Sequence, residues 1–374
     1  MSVRKLPTVE EIHAKTLDVF GKRPCYLQVQ VCLEILRREK HIVCCAATGF
    51  GKSLAYMMPL LFDAQLILVV VTPLNILGKQ NIETLAKVDV CAVAVSALNN
   101  DKETFKVWAA GSCYRLAVVN PEVLMEKSSS FEDLWKSKQF TDRLPSLVFD
   151  EAHCICIWRM FRPQYKEIQR LRWLLPSTVH FCLLSATLSP PVIKDISQIL
   201  NLNQSNTISM IRPNDRPNVF LSVHTMKQAS YHQLDFLVPI TDGVGALPSW
   251  KFIIFFDGIK DAEAACKHLL ARLPEHSKDR ERLIWFHSIM SDTYREEEAA
   301  ALAVGSRTGA CGTDSIGMGV DIPDIRVIIQ WKLTCNMESI WQRFGRAAHD
   351  PNMEGVAIIF VESKHLDAES KPSA

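Results

Sequence analysis

The stretch AATGFGKS, residues 46–53, follows a short apolar run and leads into a segment of helical periodicity. Gly49 and Gly51 let successive backbone N–H groups turn inward at a helix N-terminus, where the helix dipole favours phosphate. Lys52 stands where an ammonium group reaches β- and γ-phosphates, and Ser53 where a hydroxyl can ligate Mg2+. A glycine turn followed by a solvated lysine would read the same in isolation. The strand–loop–helix setting is what favours a phosphate-binding loop.

That setting recurs outward in both directions. Short apolar runs rich in β-branched residues stand at HIVCCA (41–46), LILVVVT (66–72), VCAVAVSA (90–97), RLAVVN (115–120), SLVFD (146–150) and HFCLLSAT (180–187), with longer helical segments between them. Runs this continuous suit strands covered on both faces, and their alternation with helices predicts an α/β fold with a mostly parallel, doubly wound sheet. The polar stretch NLNQSNTISMIRPNDRPNVF (201–220) breaks the rhythm with two prolines and predicts a linker, placed at 206–218. Beyond it the alternation resumes with KFIIFFDG (251–258), RLIWFHS (282–288), TGACGT (308–313), RVIIQW (326–331) and GVAIIFVE (355–362). Two tandem α/β domains, 1–205 and 219–374, are the expectation.

Composition narrows the function classes. The chain has 374 residues, 48% of them hydrophobic, which is enough for two cores. A net charge of +1 provides no global attraction to nucleic acid or membrane, so any polyanion site must be local. The 12 cysteines form no CxxC or Cys/His cluster at zinc spacing, and several lie inside apolar runs, where a thiol acts as a small hydrophobe. Disulfides are not expected. No apolar stretch approaches the roughly 18 residues of a membrane span, and the N-terminus lacks a signal-peptide core. The reading is a soluble intracellular protein.

Three further segments carry chemistry. DEAH (150–153) ends the run SLVF, which places Asp150 and Glu151 at the C-terminal end of a strand, where doubly wound folds bind ligands. Asp150 would hold magnesium through water and Glu151 would orient or deprotonate an attacking water. SAT (185–187) closes the strand HFCLLSAT, although an N-cap for the next helix reads the same way. RPCYLQ (23–28) precedes the first helix and strand, with Gln28 able to read an adenine edge.

In order, RPxxxQ, AxTGxGKS, TPL (72–74), NPE (120–122), DEAH and SAT resemble the first half of superfamily 2 helicases, ATP-driven translocases with two RecA-like domains of the P-loop NTPase type. CICIWRMFRPQY (154–165) is similar to the aromatic-rich loop of the RecQ DNA helicases. In the second half, DRPN (215–218), FIIFFDGIKDAE (252–263), FHS (286–288), GTDSIGMGVDIPDIR (312–326) and QRFGRAAHD (342–350) match the RecQ linker, motif IV, the histidine element, motif V and motif VI.

The resemblance implies ATP with Mg2+ as cofactors, ATP lying between two domains, and unwinding of single-stranded or partly duplex DNA in the 3′-to-5′ direction in recombination and repair, in a nuclear protein. It assigns catalysis to Lys52, Glu151, Gln342 and Arg346, and ATP contacts to Arg23, Gln28, Thr48, Gly49, Gly51, Lys52, Ser53 and Asp321. Mg2+ would be held by Ser53 and Asp150, with coupling through His153, Ser185 and Thr187. DNA contacts fall to Thr72, Pro73, Asn120, Pro121, Trp158, Phe161, Arg162, His287 and Thr313.

Three departures qualify this. Ile157 replaces the usual glutamine before Trp158 in an aromatic-rich loop that is one residue short, which bears on coupling between DNA and ATP. The chain ends at Ala374, without the zinc subdomain and winged helix of many RecQ proteins. His349 stands where motif VI, QxxGRxGR, ends in a second arginine, which predicts slow hydrolysis with ATP binding retained. The competing expectation is a degenerate core that clamps single strands under ATP control. An RNA helicase of the DEAH or DEAD type is a further alternative, disfavoured by the aromatic-rich loop.

Overall fold

The computed structural model describes residues 5–73, 75–95, 105, 108, 114–126, 130–160, 162–227, 230–317, 322–350 and 352–366. The chain divides into two compact units, 1–214 and 215–374.

The first unit carries a seven-stranded sheet. Its strands are β1 (His41–Cys45), β2 (Leu68–Val71), β3 (Ala92–Val95), β4 (Leu116–Val119), β5 (Ser146–Asp150), β6 (His180–Ser185) and β7 (Thr207–Ile211), in the order β3-β4-β2-β5-β6-β1-β7. Every pairing is parallel. Both faces are covered. Val43 and Cys45 of β1 pack into one apolar cluster with Phe149, Phe181 and Leu183, while Ile42 and Cys44 pack into another with Val31, Tyr56 and Val148. This is why the strands read as unbroken apolar runs rather than alternating ones.

The second unit repeats the scheme with six strands: β8 (Val219–Thr225), β11 (Lys251–Phe255), β12 (Leu283–Phe286), β13 (Gly309–Gly312), β14 (Ile325–Trp331) and β15 (Gly355–Val361), in the order β12-β13-β11-β14-β15-β8. All are parallel. A separate hairpin joins β9 (Ile240–Thr241) and β10 (Val244–Gly245). Asp242 and Gly243 at its turn both have positive φ, 51° and 80°, as the Asp-Gly pair of a tight hairpin requires.

The expected strands all form. The stretch read as linker holds more structure than its polarity suggests, because 207–211 is β7, paired with β1, and β8 begins at Val219. Both are edge strands, and both are half-exposed: Ile211, Phe220 and Val223 are among the exposed large apolar side chains. An edge strand with one solvated face lacks the apolar run that betrays a central strand.

Candidate nucleotide site and its supports

The strand order places the three chemical segments of the first unit side by side. β1, β6 and β5 are neighbours, with Cys45 opposite Ser185 and Asp150 opposite Leu184. The phosphate-loop entry, SAT and DEAH therefore share one edge of the sheet, at the C-terminal ends of parallel strands.

In the loop, Gly49 and Gly51 have φ of 79° and 70°, which only glycine adopts freely. A Cβ at Gly51 would lie 2.9 Å from Gln28 Nε2. Lys52 opens the helix Lys52–Met57 and donates from Nζ to the carbonyls of Ala46 and Ala47, each at 3.2 Å. Thr48 is half-buried and Arg23 exposed. Ser53 shares a hydrogen bond with the buried Tyr56 hydroxyl, which also accepts from Asn81 at 2.9 Å.

Gln28 has a different task from displaying an amide edge. It is 7% exposed. Its Oε1 accepts from Cys25 N at 2.8 Å, and its Nε2 donates to the Phe50 and Gly51 carbonyls, both at 2.9 Å. The carboxamide thus braces the phosphate loop against the first turn of the helix Tyr26–Arg37.

DEAH and SAT form one hydrogen-bonded group. Ser185, fully buried, donates to Glu151 Oε2 at 3.5 Å, shares a 2.7 Å bond with His153 Nδ1, and accepts from Thr187 N at 3.1 Å. His153 Nδ1 lies 3.4 Å from Glu151 Oε2. Glu151 has φ +51°, a left-handed conformation that a non-glycine residue keeps only when its surroundings hold it there. Nothing in the sequence announces this strain, which falls on the residue expected to handle water.

Asp150 is buried, and its carboxyl is pushed up to about 7, first by burial and then by the neighbouring Glu151, with Lys52 opposing. A buried carboxylate costly to ionise in isolation is a hard-oxygen ligand suited to Mg2+. The stability consequence has a definite sign. With a folded value near 7 against an unfolded value of 3.8, this group favours the fold most at low pH, and that contribution is lost as pH rises towards 7 and beyond. Asp150→Asn keeps the acceptor for Glu151 N, which lies 3.0 Å from Oδ1. The variant raises the melting temperature of the ligand-free protein at pH 8, with the gain shrinking at pH 5, and removes stabilisation by MgATP. An unchanged or lower melting temperature at pH 8 would contradict it.

The aromatic-rich loop is organised around Arg162. Its Nε pairs with Glu122 Oε1 at 2.8 Å, its Nη1 donates to the Pro73 carbonyl at 3.1 Å, and its guanidinium lies 4.9 Å from the Trp158 ring. Trp158 meets Tyr165 edge-on at 5.9 Å. One arginine therefore joins TPL, NPE and the loop, and Glu122 is the functional neighbour that sequence reading missed. Asn120 caps the helix Pro121–Leu124, accepting from Val123 N at 2.9 Å, and Pro121 is buried. The Thr72 hydroxyl is buried and has no hydrogen-bond partner among the described residues. Phe161 lies outside the described residues.

In the second unit, the C-terminal ends of β11, β13 and β14 converge on Arg343. Phe255 is opposite both Gly312 and Gln330, so Asp257, Asp314 and Gln330 gather at one edge. Arg343, 4% exposed, pairs with Asp257 and Asp314 at 2.7 Å each, donates to Gln330 Oε1, and lies over the Phe255 ring. It ties motif VI to motifs IV and V as a structural centre. Gln342 and Arg346 are half-buried in and just after the helix Met337–Phe344.

His349 shares a 2.7 Å hydrogen bond from Nε2 with the Gly345 carbonyl, so it closes back on the end of its own helix. Ala348, at the second glycine position of QxxGRxGR, has φ +45° and is fully buried. His287 is 7% exposed and lies 3.3 Å from Glu263. Thr313 Oγ1 bonds Ser315 Oγ at 3.2 Å. Asp321 lies outside the described residues.

Among the described residues, a cluster of metal-ligand type at His232, Asp235 and His268 is already committed. Asp235 accepts from Arg272 at 2.8 Å and pairs with His268 at 2.7 Å.

Two parallel-sheet domains, one with a phosphate loop beside a strand-end acidic pair, define a two-domain nucleotide-site architecture of the helicase type. The comparisons agree. Residues 26–196 match the DEAD/DEAH box helicase family and residues 236–350 the helicase conserved C-terminal domain. Relatives include the ATP-dependent DNA helicase Q-like 2 of Arabidopsis thaliana, 25% identical over 94% of this chain and 49% of the relative, and the ATP-dependent DNA helicase RecQ of Bacillus subtilis, 25% identical over 87% of this chain and 52% of the relative. The chain spans about half the length of the curated relatives it matches. In fold it is similar to the DUF1998 helicase MrfA bound to DNA and AMPPNP (TM-score 0.73, 17% identity, 97% of this chain and 51% of that one). It is similar also to Saccharomyces cerevisiae Dbp5 bound to RNA and ADP BeF3 (TM-score 0.67, 18% identity, 94% of this chain and 88% of that one). The chain pairs a DEAD/DEAH box helicase domain with a helicase conserved C-terminal domain, is similar in sequence to RecQ-family DNA helicases, and has the fold of tandem RecA-like domains.

Proposed function

We propose that this core is an ATP-dependent DNA helicase or translocase that moves 3′-to-5′ along a single strand, with Mg2+ and ATP as cofactors, in recombination and repair in the nucleus. The observation that carries it is the DEAH–SAT group beside the phosphate loop, in which Glu151 is held left-handed and bonded through Ser185 to His153.

In this reading the loop amides and Lys52 bind phosphates, and Ser53 and Asp150 would hold Mg2+, which would supply positive charge to the phosphates. Glu151 orients the attacking water and takes its proton. Arg346 and Gln342 are the motif VI residues of the same reading. Asp321 and Thr48 complete the ATP contacts, and Arg23 lies near the base. On the DNA side, Thr72, Trp158, Arg162 and Thr313 face the strand, largely at phosphates. Pro73 shapes that surface through its carbonyl, which Arg162 holds, and Asn120 and Pro121 through the helix start that the Asn120 side chain caps. Phe161 belongs to the same reading. His287, beside Glu263 of motif IV, is the histidine element of the same DNA-side reading.

The His349–Gly345 bond favours a second reading, an ATP-gated clamp with little turnover. No helix among the described residues is long and apolar enough to cross a membrane, and the reading requires none. Steady-state ATP turnover with and without single-stranded DNA separates the two: stimulation supports the motor, and binding without turnover supports the clamp.

A further inference from the structure

The motif VI loop is gripped from one place. Arg216 Nη1 donates to the Gly345 carbonyl at 3.1 Å, and its Nη2 donates to the Ala347 and Ala348 carbonyls at 2.9 and 2.7 Å. Asn218 Nδ2 donates to the Ala348 and Met353 carbonyls at 2.9 and 3.0 Å. The Ala348 oxygen thus accepts from both side chains. These carbonyls follow the last turn of the helix Met337–Phe344, where C=O groups run out of helical partners. A guanidinium there also meets the negative end of the helix dipole.

The loop needs such a grip. Ala348 holds φ +45°, a conformation that crowds an L-residue's Cβ against the following carbonyl and persists only where neighbours over-determine it. Ala348 is also tied to β14, since its N–H donates to the Ile325 carbonyl at 2.8 Å. Burial pulls the Arg216 pKa down, but as an arginine it stays charged. Its fork geometry reaches three carbonyls at once, which a lysine ammonium on a flexible stem does not reproduce.

We propose that Arg216 and Asn218, in the segment DRPN, are positioning residues for motif VI: they lock residues 345–348 so that the Arg346 side chain leaves the loop in one direction. Neither is assigned a contact with nucleotide or DNA. The proposal deepens the motor reading and rests on it only for its effect on turnover.

The test uses the full chain with Arg216→Ala, Arg216→Lys and Asn218→Ala, each alone and with Ala348→Gly. Hydrogen exchange of amides in 345–349 is read beside ATP turnover. Arg216→Ala should speed exchange there at least tenfold, with β11 and β15 protected as before, and lower kcat about tenfold with KM for ATP within threefold. Arg216→Lys should move both in the same direction, which keeps the test open should the alanine variant not fold. Ala348→Gly should recover part of the lost kcat, because glycine holds the left-handed backbone without the grip. Unchanged exchange in 345–349, or equal loosening across the whole second unit, would overturn the proposal. If the unmodified protein turns over no ATP, the functional reading fails by itself, and the exchange pattern still decides the grip.

Discussion

Replacing Ala348 by glycine and His349 by arginine together should raise ATP turnover at least tenfold. An arginine acting on the transferred phosphoryl group is worth up to about 10³–10⁵ in rate, and a shorter imidazole offers no equivalent bidentate fork. His349 is also spent on the Gly345 carbonyl. Releasing it costs little, since Arg216 Nη1 still donates to that carbonyl. Glycine at 348 removes the left-handed strain, so the loop can carry a longer side chain. The single His349→Arg variant should gain less than the pair. Steady-state turnover with saturating DNA is the measurement, and no gain in either variant would show that motif VI does not limit the rate.

In that restored background, Glu151→Gln should lower turnover by about 10²–10⁴, the usual range for losing a general base. MgATP binding, read by fluorescent-analogue titration, should survive, since phosphates are held by the loop and Lys52. Ser185→Ala should lower turnover less, because it removes only the hydroxyl between Glu151 and His153 and leaves both charged or titratable groups in place. A Glu151→Gln enzyme as fast as its parent would remove Glu151 from the chemistry.

Much of this was legible in the residues. Central strands such as SLVFD announced themselves because both faces are buried, and AATGFGKS and DEAH because phosphate and metal chemistry demand few residue types in a fixed order. What stayed hidden depends on the third dimension or on backbone angles. Arg343 reads as a surface or active-site arginine until Asp257 and Asp314, 86 and 29 residues upstream, close on it. Gln28 reads as a base contact until its amide is seen bracing Phe50 and Gly51. His287 belongs to the same group, because burial against Glu263 leaves no trace in FHS. Ala348 is different: its place in the glycine position of motif VI was open to notice, and only its φ of +45° shows what that substitution costs. The edge strands β7 and β8 were masked by their own solvated faces.

Whether nucleic acid drives the ATPase, and which kind, separates a DNA motor from the alternatives. ATP turnover by the unaltered chain should be measured with single-stranded DNA, with single-stranded RNA of the same sequence, and with neither, beside a Lys52→Ala control. A slow rate stimulated at least tenfold by DNA, less by RNA, and absent from the control is the result predicted. Equal rates in all three conditions, or stimulation by RNA alone, would contradict it.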